Sequence, residues 1–265
     1  MQAPKTSGGG YLAQGDYRVR FERGERGVHA LTALRFQVGV LIVVDVLSFS
    51  TVVDVAVSRG AHVMPSHFKL AAESAELAKL YGAQVVAPRA QRNAESPYTL
   101  SAETLDALPR DARLVLPTVN GARCVRAANE NRVATILAGC LRNASAVAAF
   151  ARARAAGTAI AVIAAGERWA DGTLRPALED DLAAGAILAA LDADASSSPE
   201  ARYIARAYRA GRDTLAETLR DCVSARELIE AGYVADVERS FELDVSATVP
   251  VLGPDGFFSA ALTTP

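Results

Sequence analysis

The 265-residue sequence predicts an α/β fold, three layers deep (α/β/α), with helices on both faces of a largely parallel or mixed sheet. Two observations carry this reading. Val38 to Val44 is a continuous β-branched run rather than an alternating one, the pattern of a strand covered on both faces. The unit it begins, strand then polar loop then helix, recurs along the chain, which implies parallel pairing through crossover helices.

The elements follow in order. Met1 to Gly10 is polar and glycine-rich, with no apolar core of a signal peptide, so residues 1–14 read as a flexible tail and 15–265 as the α/β domain. After Val44, the polar residues Asp45, Ser48, Ser50 and Thr51 lead into a helix to about Arg59, with Gly60 closing it. A helix from about Lys69 to Tyr81 leads into a strand at Gln84 to Ala87. Arg113 to Leu116 is a strand, Pro117 to Gly121 a loop and Ala122 to Glu130 a helix. The unit repeats as Val133–Ala138, Gly139–Asn143 and Ala144–Ala156, with Gly157 at the helix end. It repeats again as Thr158–Ala165, a loop from Gly166 to Arg175, and a helix from Pro176 to Leu191, where Pro176 takes the favoured first-turn position.

The last third differs. The serine-rich loop Asp192 to Pro199 reads as a boundary, which leaves room for two lobes. Glu200–Gly211 and Asp213–Cys222 read as helices. Ser224 and Glu227 have the spacing of a capping box opening a helix that ends near Gly232. Asp236 to Val245 alternates like an edge strand.

Composition excludes several functions. With 51% apolar residues the chain can bury a sizeable core. A net charge of −2 and no basic stripe disfavour nucleic acid as a partner. Cys124, Cys140 and Cys222 form no CxxC pair, which argues against structural zinc or disulfides and fits the reducing cytoplasm. No apolar stretch reaches the ~18 residues of a membrane span. The size suits a homodimer, although no interface is legible.

In open α/β sheets ligands bind beyond the carboxyl ends of the strands, so these loops should hold the chemistry. Asp45, directly after a buried strand, suits a magnesium ligand or an acid/base group; as a position it equally suits a turn or cap. Ser48, Ser50 and Thr51 at a helix start offer either an anion cradle or ordinary capping. Thr118, Asn120, Gly121 and Arg123 have the make-up of a phosphate cradle or, more blandly, of a surface turn. Asn143 suits a helix cap. Glu167, with Glu179, Asp180 and Asp181 in a helix first turn, supplies acids that complement the helix dipole or, with Asp45, hold a hard cation. A P-loop, a GxGxxG turn and HExxH are all absent, and Leu47 stands where a haloacid-type phosphatase needs a second aspartate. The residues alone reach an α/β enzyme handling an anionic substrate with magnesium.

At these same loops the chain resembles the 2-phosphosulfolactate phosphatase family. Val43-Val44-Asp45-Val46-Leu47-Ser48-Phe49-Ser50-Thr51 is similar to its Val-Ile-Asp-Val-Leu-Arg-Ala-Thr element. Thr118 to Arg123 echoes Thr-Asn-Gly-Thr-Arg, and Asn143 to Ala148 reproduces Asn-Ala-Ser-Ala-Val-Ala. Ala177 to Asp180 with Ala184-Gly185-Ala186 echoes Ser-Leu-Glu-Asp and Ala-Gly-Ala, and Arg226-Glu227-Leu228-Ile229 through Asp236-Val237 resembles the family tail. The resemblance spans roughly Tyr17 to Leu252. It implies a magnesium-dependent phosphatase that releases phosphate from a small anionic ester, 2-phosphosulfolactate, on a route to coenzyme M. Asp45, Glu179 and Asp180 would be catalytic residues and metal ligands. Ser48, Ser50, Thr51, Thr118, Asn120, Gly121, Arg123, Asn143, Glu167 and Arg226 would line the substrate. Ser48 replaces the family arginine after Asp-Val-Leu, and of the family's Gly-Glu-Arg and Gly-Asn-Ser-Pro elements only Arg89 and Ser96-Pro97 are kept. These departures leave a phosphatase for another ester, or a non-catalytic anion-binding protein, as the alternatives.

Overall fold

A computed structural model describes residues 9–34, 37–67, 71–192 and 194–261. Its strands are β1 (Val19–Arg23), β2 (Val38–Val44), β3 (His62–Ser66), β4 (Gln84–Val85), β5 (Arg113–Pro117), β6 (Thr135–Gly139), β7 (Ala159–Ala164), β8 (Glu167–Arg168), β9 (Leu174–Arg175), β10 (Pro250–Leu252) and β11 (Phe258–Ala260). Its helices are α1 (Gly9–Leu12), α2 (Gly24–Thr32), α3 (Phe49–Ser58), α4 (Ala71–Tyr81), α5 (Asn120–Glu130), α6 (Ala144–Arg154), α7 (Leu178–Leu191), α8 (Pro199–Gly211), α9 (Leu215–Arg220), α10 (Val223–Glu230) and α11 (Val234–Ser240).

The β-branched run forms β2, and its alternating side chains feed two cores. Val40, Ile42 and Val44 pack with α6, α7 and α8 on one face. Leu41 and Val43 pack with α2, α3 and α5 on the other. Strand β7 divides the same way, Ile160 and Val162 to the first core and Ala161 and Ile163 to the second. A strand buried on both faces has no polar alternation to show, so the continuous apolarity of the sequence is the physical signature of the three layers.

The main sheet runs β1-β7-β2-β6-β10-β11-β3-β5-β4. The first four strands pair in parallel, as do β3, β5 and β4. The β10–β11 hairpin joins the two groups by antiparallel pairing on each side, so the sheet is mixed. Val44 pairs with both Gly139 and Ala164, which brings the ends of β2, β6 and β7 to one level. Asp45, Cys140 and Ala165 therefore leave the sheet side by side.

Several expectations are corrected. Asp236 to Val245 is not an edge strand: Val234–Ser240 is helical, and its buried residues Asp236, Val237 and Ser240 have helical rather than alternate spacing. Ser224 is not the cap of α10; Cys222 is, and Ser224 lies buried inside the helix. Pro176 precedes α7, which starts at Leu178 with Ala177 at the cap. Helix α5 starts at Asn120, so Asn120 and Gly121 are its first turn rather than a loop before it. The last third is no separate lobe, since β10 and β11 sit in the middle of the sheet. Of the tail expected over 1–14, residues 1–8 lie outside the described residues; Gln14 is buried, and its amide exchanges hydrogen bonds with the Phe21 backbone at 2.8 and 3.2 Å. The expected start of the helix at Lys69 also lies outside the described residues.

Candidate active site

The end of β2 carries Asp45 into a buried position among backbone N–H groups. Ser50 Oγ accepts the Asp45 N–H at 3.1 Å and donates to the Asp45 carbonyl at 2.8 Å, tying the first turn of α3 to the strand end. Thr51 Oγ1 donates to the Val46 carbonyl at 2.9 Å. Both hydroxyls bond to backbone atoms and so shape the turn.

The Asp45 carboxylate accepts the Gly121 N–H at 2.8 Å and a further backbone N–H from Phe49. It thus sits at the first turns of α5 and α3, where orphan amides favour negative charge. Glycine at 121 is a matter of space. A Cβ there would stand 2.4 Å from Phe49 Cδ1 and 2.8 Å from Asp45 Oδ2.

Three more acids converge on this point. Asp180, in the first turn of α7, accepts the Val46 N–H at 2.7 Å and the Gly166 N–H at 2.9 Å, one on each oxygen. It clamps the loops after β2 and β7 together. Glu167, half-buried on β8, accepts from Asn120 Nδ2 at 2.9 Å. Glu179 is 3% exposed and accepts from the Cys222 thiol at 3.4 Å. The adjacent Asp181 turns the other way, into a two-point ion pair with Arg23 at 2.8 and 2.9 Å.

Burial and crowding set the electrostatics. Loss of solvent, reinforced by the charges of Glu167 and Glu179, pushes Asp45 up to about 7 against the pull of its two N–H donors. Asp180 is raised well above the usual carboxylate range by burial first, then by Asp45 and Glu179. Glu167 is raised by burial too, with Asn120 and Arg175 pulling the other way. Such a cluster is costly without a cation or protons to compensate it. Among the described residues, no three acid, histidine or cysteine side chains close round a metal ion by themselves.

The other candidates separate. Ser48 Oγ accepts from Arg89, whose Nε donates to Asp236 at 2.7 Å; Asp236 in turn accepts from Ser101 Oγ at 2.6 Å. A guanidinium from a different loop thus stands beside the position that follows Asp-Val-Leu. Thr118 is half-buried, its N–H on the Ser66 carbonyl at 2.9 Å. Arg123 does not join the cluster; it pairs at 3.8 Å with Glu25, because its place one turn into α5 points it along α2. Arg226 is exposed on α10, while its neighbour Ser224 is the residue that meets a site arginine, Arg175, at 3.4 Å. Asn143 stands at the cap position of α6, as expected, but its side chain makes no cap bond: its amide oxygen accepts from the Cys140 N–H at 2.9 Å and its Nδ2 donates to the Ala138 and Thr248 carbonyls. Burial pushes the Cys140 thiol far up, which fits an inert residue.

Sequence reasoning missed Phe49, Gly166, Arg175 and Cys222. Gly166, with φ of 69°, carried a signal, as a glycine directly after a buried strand marks a special turn. Cys222 reaches Glu179 only through tertiary packing and carried none.

The mixed α/β sheet gathers buried carboxylates beyond the carboxyl end of β2, the place where open α/β enzymes bind their ligands. A family model described as 2-phosphosulpholactate phosphatase matches residues 29–254. The chain is also 31% identical over 236 residues to a 2-phosphosulfolactate phosphatase of Methanothermobacter thermautotrophicus, covering 88% of this chain and 91% of that protein. It belongs to the 2-phosphosulpholactate phosphatase family. No helix among the described residues is long and apolar enough to cross a membrane.

Proposed function

We propose that the protein hydrolyses 2-phosphosulfolactate to sulfolactate and phosphate with the help of magnesium. The observation that carries this is the convergence of Asp45, Glu167, Glu179 and Asp180 at one end of β2, with Asp45 pinned by two helix-turn amides. Family membership supplies the substrate class.

Magnesium fits this donor set in one particular way. It prefers hard oxygen ligands, binds through one or two carboxylates and keeps water or phosphate oxygens for the rest of its shell. A full protein cage is therefore unnecessary. Asp45 would hold it together with Glu179 or Glu167, whose carboxylates lie close enough to raise its own proton affinity. When bound, the ion neutralises phosphoryl charge and polarises the phosphorus–oxygen bond.

The chain's own groups do the rest. Asp180 keeps the Val46 and Gly166 loops in register and so fixes the distance between Asp45 and Glu167. Asn120 orients Glu167 through its amide. Exclusion of water from the nearly buried Asp45 strengthens every charge interaction there. A carboxylate free of its neighbours' repulsion can accept a proton from attacking water.

The test is phosphate release from 2-phosphosulfolactate and a panel of small phosphate esters, with magnesium and with EDTA, for wild type, Asp45→Asn and Asp180→Asn. The expected result is magnesium-dependent release, fastest with phosphosulfolactate, and a drop of roughly 10²-fold or more in Asp45→Asn. Near-normal turnover in both variants would refute the site; full activity in EDTA would refute the metal; a faster ester would reassign the substrate.

A further inference from the structure

Strand β8 sends successive side chains to opposite faces, as pleating requires. Glu167 and its cross-strand partner Arg175 face the acid cluster; Arg168 and its partner Leu174 face away. Behind the hairpin lies a cavity of about 290 Å³ between β8–β9 and the first turn of α2, lined by Arg23, Glu25, Arg26, Arg168, Asp171 and Leu174 among others.

The charges in this cavity do not cancel. Arg23 is consumed by Asp181. Glu25 is consumed by Arg126 at 2.8 Å, with Arg123 at 3.8 Å. Asp171 folds back on its own turn, taking the Thr173 N–H at 2.9 Å and hydroxyl at 2.7 Å. Two guanidinium groups are left. Arg26 has no hydrogen bond or ion pair to a side chain among the described residues. Arg168 donates to the Gly172 carbonyl at 2.6 Å, but its Nε is buried with no acceptor among the described residues. An unsatisfied buried guanidinium N–H is rare and calls for a partner. The α2 start adds donors, since its cap residue Arg23 gives no side-chain bond to the first-turn amides.

We propose that this cavity binds a small tetrahedral oxyanion, with Arg26 and Arg168 as its charged contacts. Guanidinium forks match phosphate, sulfate and sulfonate oxygens alike, so the ligand is a free inorganic anion or the anionic end of an organic one. The site is separate from the acid cluster, with the β8 backbone between them, so it does not depend on the phosphatase reading. An anion seated there would hold the strand that carries Glu167.

The chain has a single tryptophan, Trp169, next to Arg168 and exposed on the hairpin, which makes it a local reporter. The experiment titrates inorganic sulfate, inorganic phosphate and methanesulfonate into the full chain in EDTA, followed by Trp169 fluorescence and calorimetry. Saturable binding is expected in wild type and, unchanged, in Asp45→Asn, with affinity weakened about tenfold in each of Arg26→Gln and Arg168→Gln. Arg26 is exposed, so its variant tests the site even if Arg168→Gln folds poorly. Preference among the three probes separates a free anion from a sulfonate end. No saturable signal by either method overturns the proposal. So does binding that persists in both arginine variants, or binding that is lost in Asp45→Asn. Because no ester is turned over, failure of the phosphatase reading leaves this result unaffected.

Discussion

Gly121→Ala should damage both stability and chemistry. A methyl group there would lie 2.4 Å from Phe49 Cδ1 and 2.7 Å from its Cγ. Ordinary carbon contact needs about 3.5 Å, so roughly 1 Å must be found. Phe49 cannot supply it, being 1% exposed and packed edge-on against Phe258 at 6.0 Å. The start of α5 must retreat instead, which stretches the 2.8 Å bond from the Gly121 N–H to Asp45. Overpacking costs about 1–3 kcal/mol. Losing a hydrogen bond to a charged group costs about 1.5–3 kcal/mol. Alanine's better helix propensity returns about 1 kcal/mol. A net loss of roughly 1.5–5 kcal/mol follows, measurable by urea denaturation, together with a fall in kcat. The double variant Phe49→Leu, Gly121→Ala should recover part of the stability, since the smaller side chain frees the space. A single variant within about 0.5 kcal/mol of wild type, with normal kcat, would refute this packing logic.

Other outcomes follow from the buried charges. In EDTA, Asp45 binds its proton more tightly folded than unfolded, because its folded value is raised from 3.8 to about 7. Its stabilising effect is therefore complete below pH 4 and lost as the pH rises through about 7. Urea melts should show Asp45→Asn gaining on wild type across that window by at most on the order of 4 kcal/mol, less what the amide loses in pairing with two N–H donors. A gap that does not widen with pH would count against the buried cluster, and magnesium should narrow it. Arg142→Leu should cost about 3–5 kcal/mol, since it leaves the fully buried Asp54 with Ser246 as its remaining hydroxyl partner. A loss under about 1 kcal/mol would show that Asp54 is not charged in the folded protein.

The sequence by itself determined the layers, because the burial of β2 and β7 on both faces is written in local apolarity and needs no knowledge of neighbours. It also pointed to loops that converge: a carboxylate after a buried strand and acids in a helix first turn are local facts, and Asp45, Glu179, Asp180, Glu167, Asn120 and Gly121 do meet. What each of these residues does was decided by tertiary structure. The three consecutive acids at 179–181 look alike in sequence, yet one meets a thiol, one clamps two loops and one pairs with Arg23. The helical turn advances side chains by about 100° per residue, so three neighbours must face three surroundings. The bonds that Ser50 and Thr51 make to the Asp45 and Val46 backbone could not be read in advance, because backbone carries no residue identity. Position 236–245 passed for a strand because alternation over a short window cannot reveal the Arg89 and Ser101 partners that bury Asp236. The hairpin that closes the middle of the sheet was illegible for the same reason: β10 and β11 are short and find their partners far away in sequence, and such pairings exist only once the chain has folded.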